Sequence, residues 1–124
     1  MLDVHDNEIV SYEVDFKEKT IILKTISEEN EKVKVIFKEV LANFFEEGGR
    51  QNIIFDIVTD KIEDFIMENE KMLMEKKNSC WPMCYDNLNE LQKSLEEKKY
   101  KYFVIESSHG LSGWVLAKEM KIGL

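Results

Sequence analysis

Two cysteines and two histidines are the side chains of this sequence that could bind a metal or carry out redox chemistry. Cys80 and Cys84 are separated by three residues, whereas zinc sites usually begin with a C-x2-C or C-x4-C pair and need a second pair of ligands. Redox motifs use C-x-x-C, and the extra residue changes the geometry that lowers a thiol pKa. His5 and His109 each stand alone. The sequence therefore predicts no metal, no cofactor and two free thiols.

A histidine beside an acid or a serine could take part in acid–base catalysis. His5 precedes Asp6, and His109 follows Ser107 and Ser108. No nucleophile or second base is marked near His5, and neither G-x-S-x-G nor a phosphate-binding glycine loop is present. The sequence therefore predicts a protein that is not an enzyme. A small enzyme using His5, Asp6 or His109 is the less favoured alternative.

The charge balance favours a protein partner over a nucleic acid. The chain has a formal net charge of −8 and a sequence pI of about 4.8, and Arg50 is its only arginine. This charge argues against nucleic acid as a partner, because a phosphate backbone must be met by lysine and arginine. The acidic surplus lies in residues 1–70, and an acidic face can steer a basic protein toward its binding site.

Nothing in the sequence indicates a membrane protein. No run approaches the roughly 20 apolar residues that cross a bilayer, and Met1 to Asn7 lacks the features of a signal peptide. We therefore expect a cytoplasmic protein. In that reducing compartment a structural disulfide between Cys80 and Cys84 is not expected.

The pattern of apolar residues predicts a single α+β domain over residues 1–124. Three segments, Glu8–Phe16, Thr20–Ile26 and Lys32–Lys38, alternate as half-buried strands do and are joined by short turns, which favours an antiparallel β-meander. Val10, Tyr12, Val14 and Phe16 share one face of the first segment. We expect Val10, Tyr12 and Val14 to be buried together with Val33, Val35 and Phe37. Asn52–Val58 predicts an internal strand, whereas Val40–Glu47 suits either a helical turn or a strand.

The second half of the chain predicts two amphipathic helices and a hairpin. Asp60 to Lys77 has helical spacing and opens with a possible capping box of Asp60 and Glu63. After a break around Pro82, Asp86 is expected to cap a second helix that buries Leu88, Leu91 and Leu95. Tyr100–Glu106 and Trp114–Ile122 are expected to pair as a C-terminal β-hairpin in the same sheet.

The candidate binding residues are exposed acids and two aromatic residues near the helix linker. Aromatic side chains dominate binding hot spots because they bury much surface at low entropic cost. The predicted partner-binding residues are Glu28, Glu29, Glu31, Glu46, Glu47, Trp81 and Tyr85.

The opening segment Leu2–Asp15, with His5-Asp6 at the strand entrance, is followed by Val33–Val40 and Asn52–Ile57. This sequence resembles small bacterial proteins, mainly of Gram-positive species, some of which are grouped with immunity proteins that neutralise polymorphic toxins. The resemblance implies a protein-binding domain whose partner is a basic, nuclease-like toxin domain. The resemblance supplies no catalytic residues that could be assigned to positions of this sequence. A homodimeric structural or housekeeping domain is the alternative.

Overall fold

Strand pairing is antiparallel throughout residues 4–46 and 52–124, which the computed structural model describes. The predicted α+β class, with a mostly antiparallel sheet, is therefore confirmed. The strands are β1 Glu8–Asp15, β2 Thr20–Ile26, β3 Lys32–Lys38, β4 Ala42–Glu46, β5 Ile53–Asp60, β6 Lys101–His109, β7 Ser112–Ala117 and β8 Glu119–Gly123. The helices are α1 Ile62–Glu68, α2 Glu70–Glu75 and α3 Leu88–Glu97, with a 3-10 turn at Lys77–Ser79.

The strands form one sheet in the order β4-β7-β6-β5-β1-β2-β3-β8. β3 and β4 are consecutive, and so are β7 and β8, which only Lys118 separates. Across the bend, the Lys118 N–H donates to the Lys38 carbonyl at 3.2 Å and the Leu41 N–H to the Leu116 carbonyl at 2.8 Å. The β3–β8 and β4–β7 pairs are thus successive halves of one bent strand pair, and the sheet curls back on itself.

The prediction of one strand over Trp114–Ile122 was wrong. Residues 112–117 form β7, which pairs with β6, and residues 119–123 form β8, which pairs with β3 instead. Because the chain bends at Lys118, each half of the segment has a different neighbour.

The curled sheet separates two apolar cores. The inner core lies on the concave face, and its largest fully buried members include Phe37, Leu23 and Ile105. The outer core lies between the three helices and the convex face of β7 and β6. At its centre the Phe65 ring lies 5.3 Å from that of Tyr102 and 5.0 Å from that of Trp114, measured between centroids.

The predicted buried face of β1 was partly wrong. The register with β2 shifts between Ile9 and Ser11, so Val10, beside this bulge, is out of step with the residues that follow and is 50% exposed. Tyr12 and Val14 keep the predicted face, opposite the buried Leu23 and Ile21, but Tyr12 is 37% exposed and Val14 is half-buried. Val33, Val35 and Phe37 are buried as expected.

The single long helix predicted over Asp60–Lys77 was also wrong. Helix α1 ends before Asn69, whose side-chain amide donates to the Phe65 carbonyl at 3.0 Å, and α2 then begins. Asparagine competes in this way for backbone groups and is a poor residue for a helix interior. Asp60 is the last residue of β5, and the N-cap of α1 is Lys61. The backbone amide of Lys61 donates a hydrogen bond to an Asp64 carboxylate oxygen at 3.3 Å, so Asp64 takes the place predicted for Glu63.

Helix α3 begins one residue later than predicted. The Asn87 carboxamide oxygen accepts a hydrogen bond from the Glu90 amide at 2.9 Å, so Asn87 and not Asp86 is the N-cap. Leu91 and Leu95 are fully buried and Leu88 is half-buried, as the periodicity predicts.

The cysteines are joined in a disulfide, which contradicts the prediction of two free thiols. The 3-10 turn ends at Cys80, which adopts a left-handed conformation that turns the chain back toward Cys84. This local turn allows two cysteines with three intervening residues to form a disulfide bond. Within residues 4–46 and 52–124, no helix has the length and hydrophobicity needed to span a membrane.

Candidate partner-binding surface

The convex face of β4, β7, β6 and β5 carries a row of apolar side chains that the helices leave partly uncovered. Phe44 lies opposite Trp114, Trp114 opposite Val104, and Val104 opposite Val58 on successive strands. Trp114 is buried under the helices, but Val104 and Val58 are half-buried and Phe44 is 39% exposed. We call Phe44, Val104 and Val58 the apolar strip.

Two residues away from each member of the apolar strip, along the same strand, is a carboxylate. Side chains two residues apart on a strand share a face, so Glu46, Glu106 and Asp56 lie beside Phe44, Val104 and Val58 respectively. All three acids are exposed. We call Glu46, Glu106 and Asp56 the acidic row.

Two members of the acidic row face each other directly. Asp56 and Glu106 are opposite residues of the antiparallel β5–β6 pair, where Cβ atoms are about 5 Å apart and like charges destabilise the sheet. An Asp56 carboxylate oxygen accepts a hydrogen bond from the Ile57 amide at 2.8 Å. In the described part of the chain, no lysine forms an ion pair with Asp56, Glu106 or Glu46. Within the described residues, no lysine therefore offsets the formal charge of the row.

A groove runs between the apolar strip and the helix layer. It has a volume of about 340 Å³ and is lined by Phe44, Glu46, Met72, Val104 and Trp114, among others, with Glu68 on the helix side. The Tyr102 hydroxyl donates a hydrogen bond to a Glu68 carboxylate oxygen at 2.8 Å. Burial, and then this hydrogen bond, raise the pKa of Tyr102 far above its ordinary value. Tyr102 therefore stays protonated and holds Glu68 at the rim.

Gly113 fixes the position of Phe44. It lies opposite Phe45 on β4 and has a φ of +152°. A Cβ atom on Gly113 would overlap the Phe44 carbonyl oxygen. Because glycine lacks that atom, the β4 backbone can approach β7 closely and present Phe44 on the convex face.

The predicted acidic residues occupy two separate places. Glu28, Glu29 and Glu31 are exposed together in the β2–β3 turn. Beside this turn, a cleft of about 440 Å³ is lined by Asp6, Glu8 and Glu28, among others. Glu46 belongs to the acidic row, and Glu47 lies outside the described residues.

The two predicted aromatic residues differ in exposure. Tyr85 is only 7% exposed, and its hydroxyl donates to the Leu73 carbonyl at 2.8 Å, so it is a residue of the outer core rather than of the surface. Burial raises its pKa. Trp81 is half-buried, packs on Trp114 with ring centroids 5.9 Å apart, and lines a third cleft beside the β1–β2 turn.

The structure describes the side chain of one of the two histidines, His5. His5 Nδ1 lies 3.2 Å from an Asp6 carboxylate oxygen, and both side chains are about half exposed, at 46% and 53%. The His109 side chain lies outside the described part of the structure. Among described side chains, no three of the metal-ligating types gather closely enough to hold a metal ion.

Sequence reasoning missed Asp56 and Glu106. The available signal was the order Asp56-Ile57-Val58, because a charge within a strand predicted to be covered on both faces indicates that one face is open. The matching order Val104-Ile105-Glu106 shows the same alternation. Their juxtaposition depends on the β5–β6 register, which a bulge shifts between Ile54 and Asp56.

The resemblance to immunity proteins rests on the short sequence segments alone. No family model, curated protein or solved structure matches this chain. The geometry of the convex face is therefore the basis for a functional proposal.

Proposed function

We propose that this protein binds another protein through the acidic row and the apolar strip, and that the partner is a basic toxin domain that it neutralises. The observation that carries the proposal is the direct opposition of Asp56 and Glu106 beside half-buried apolar side chains, with no lysine counter-ion among the residues that the structure describes. A partner's lysine or arginine side chains would relieve the repulsion within the row. An immunity role is the form of this binding that the sequence resemblance supports.

The two parts of the surface would act on different steps of binding. Complementary charge accelerates association, and its effect decreases as salt screens it. Apolar contacts that exclude water mainly slow dissociation. The acids of the β2–β3 turn, Glu28, Glu29 and Glu31, add to the negative potential without belonging to the same face.

The first test neutralises the acidic row. The variant combines Asp56→Asn with Glu106→Gln, and its matched control combines Glu96→Gln with Glu97→Gln, which removes two exposed charges from α3. The partner to use is a toxin domain encoded beside the gene. We expect the row variant to associate at least about tenfold more slowly than the control at low salt, with a smaller difference at high salt.

The second test truncates the apolar strip. Phe44→Ala should raise the dissociation rate and leave the association rate nearly unchanged, because truncated hot-spot residues act on dissociation. Equal kinetics for the row variant and its control would contradict this surface assignment. If co-expression with the neighbouring toxins never restores growth and pull-downs return only the protein itself, the immunity role is refuted.

The proposed place of action is the cytoplasm, where a toxin acting on nucleic acid would have to be blocked. The Cys80–Cys84 disulfide is not expected in that compartment, since cytosolic thiols are normally kept reduced. Alkylation of intact cells, followed by mass measurement of the protein, would decide. Two alkylated cysteines support the cytoplasm, and an unmodified disulfide points to an oxidising compartment.

A further inference from the structure

We propose that the cleft beside the β1–β2 turn, which Trp81 lines, is a self-association site. Its occupant is the Phe16 side chain of a second copy of this chain. Phe16 is 88% exposed, the highest value among the large apolar side chains that the structure describes. It lies in the β1–β2 turn, where one Asp15 carboxylate oxygen accepts hydrogen bonds from the amides of Lys17 at 3.0 Å and Glu18 at 2.9 Å. The turn therefore holds an aromatic ring in water.

The cleft beside this turn has the size and lining to accept such a ring. Its volume is about 340 Å³, and Val14, Val40, Leu41 and Trp81 are among its apolar walls. A benzyl group in this cleft would meet these aliphatic side chains and the Trp81 indole, and aromatic pairs add to the stabilisation that burial gives. The polar residues Asp15, Lys19, Thr20 and Asn43 also line the cleft.

The walls of the cleft are held in place before any ligand enters. The Val40 amide donates to the Lys19 carbonyl at 2.8 Å, which ties the β1–β2 turn to the bend after β3. On the other side, Trp81 packs against Trp114, and the Cys80–Cys84 disulfide closes the loop that contains it. A preformed site loses less entropy on binding than a mobile one.

The position of Phe16 on the rim of the cleft favours a second copy over an unrelated occupant. In a two-fold contact the same patch of both copies meets, and Phe16 is itself among the residues that line the cleft. A two-fold axis beside this turn therefore brings each Phe16 ring toward the cleft of the other copy.

The local charge also fits a second copy. The chain as a whole carries −8, so two copies repel each other at most approaches. At the β1–β2 turn, Asp15 and Glu18 are balanced by Lys17 and Lys19. Lys76 adds a positive charge, with its Nζ 5.1 Å from the Trp81 ring centroid. This end of the molecule suits a two-fold contact, in which each acid can meet a lysine of the other copy, and offers no net attraction to a basic partner.

The size of the contact sets its strength. Two exchanged phenylalanines and their walls bury several hundred Å², below the roughly 1,200–2,000 Å² of a stable interface. The contact is therefore weak, and the dimer dissociates on dilution.

Sedimentation velocity over a dilution series tests the proposal. The proteins are the wild type, Phe16→Ala, and Met74→Ala as the control, because Met74 is also an exposed apolar residue, at 57%. We expect the sedimentation coefficient of the wild type and the Met74→Ala variant to rise with concentration, and that of Phe16→Ala to stay at the monomer value. Circular dichroism should show all three folded, since neither side chain is buried.

Two further variants separate this site from the proposed toxin-binding surface. Lys19→Glu, which makes the rim acidic, should weaken self-association at least about tenfold at low salt. Asp56→Asn with Glu106→Gln should not weaken it, because these residues lie outside the cleft. A wild type that stays monomeric near millimolar concentration overturns the proposal, as does a Phe16→Ala variant that associates like the wild type.

Discussion

At the scale of single residues, Gly113 shows how one missing atom positions the convex surface. A Cβ atom there would meet the backbone carbonyl of Phe44, which cannot move without β4, whereas a Cβ atom on Gly123 would meet nothing within 4 Å. The positive φ of Gly113 adds a cost of about 1–3 kcal/mol for any other residue. Gly113→Ala should therefore lower the free energy of unfolding by at least about 2 kcal/mol, and Gly123→Ala by much less, as measured by urea denaturation. Equal effects would contradict the close β4–β7 approach.

Tyr102 gives a prediction about pH. Burial and the Glu68 hydrogen bond raise the pKa of its hydroxyl in the folded protein, while the unfolded chain releases that proton near pH 10. A raised folded pKa contributes stability below the unfolded value, and this contribution is lost as the pH rises above about 10. At neutral pH, Tyr102→Phe should cost about 1 kcal/mol for the lost hydrogen bond.

This cost should shrink as the pH rises above about 10, because only the wild type then loses the tyrosine contribution. The measurement is urea denaturation at neutral and alkaline pH, with Tyr100→Phe, at a half-buried tyrosine, as the control. A constant difference between Tyr102→Phe and the wild type across this range would show that Tyr102 does not titrate as proposed.

At the scale of elements, the helix layer depends on Phe65. Its ring is fully buried between those of Tyr102 and Trp114, so Phe65→Ala should cost about 3–5 kcal/mol. Met67→Ala on the same helix removes a side chain that is 67% exposed and should change stability by less than about 0.5 kcal/mol. Thermal and urea unfolding of both variants check this, and an unchanged melting temperature for Phe65→Ala would contradict the packing of α1.

The Cys80–Cys84 loop is an element of its own. A disulfide that closes a loop of this length contributes about 2 kcal/mol by restricting the unfolded chain. Replacing both cysteines with serine should lower the free energy of unfolding by about that amount. A thiol assay on unfolded protein, with and without a reductant, provides the chemical check. Two titratable thiols without reductant would show that the bond is absent.

Local sequence patterns predicted the meander and the third helix, since β2, β3 and the inward leucines of α3 follow their periodicities without interruption. They failed where one residue changes the period. Val10, beside the β1 bulge, is out of step with the face that Tyr12 and Val14 share, and Asn69 divides one expected helix into two. Val10 has the strand propensity of its neighbours, and Asn69, although a poor residue for a helix interior, is a single residue in an otherwise helical pattern. Whether the pattern continues or breaks at such a residue depends on how the neighbouring strands and helices pack against the segment.

At the scale of the whole molecule, the surplus negative charge should reduce stability. A net charge of −8 on 124 residues favours the expanded chain through self-repulsion, and salt weakens that repulsion over distances beyond about 10 Å. The melting temperature at pH 7 should therefore rise when sodium chloride is increased from low to physiological ionic strength. A melting temperature that is unchanged or falls would show that attractive ion pairs outweigh the repulsion.

The candidate site was accessible to sequence reasoning only in part. Charge and composition predicted acidic binding residues, and Glu46 does lie in the acidic row. Its companions Asp56 and Glu106 come from strands about 50 positions apart. A bulge in β5 sets the register of the β5–β6 pair and so places Asp56 opposite Glu106. Only the assembled sheet brings such distant positions together, and no short segment contains the information.

The bend that makes β8 a neighbour of β3 has a consequence for synthesis on the ribosome. The β1-β2-β3 meander ends at Lys38, but Lys38 pairs with Glu119, which is synthesised roughly 80 positions later. At a translation rate of about 5–20 residues per second, the outer edge of β3 stays uncovered for several seconds or more. During that interval Lys32, Lys34 and Lys38 stand along β3, and charged lysines on an exposed edge discourage pairing with a neighbouring nascent chain.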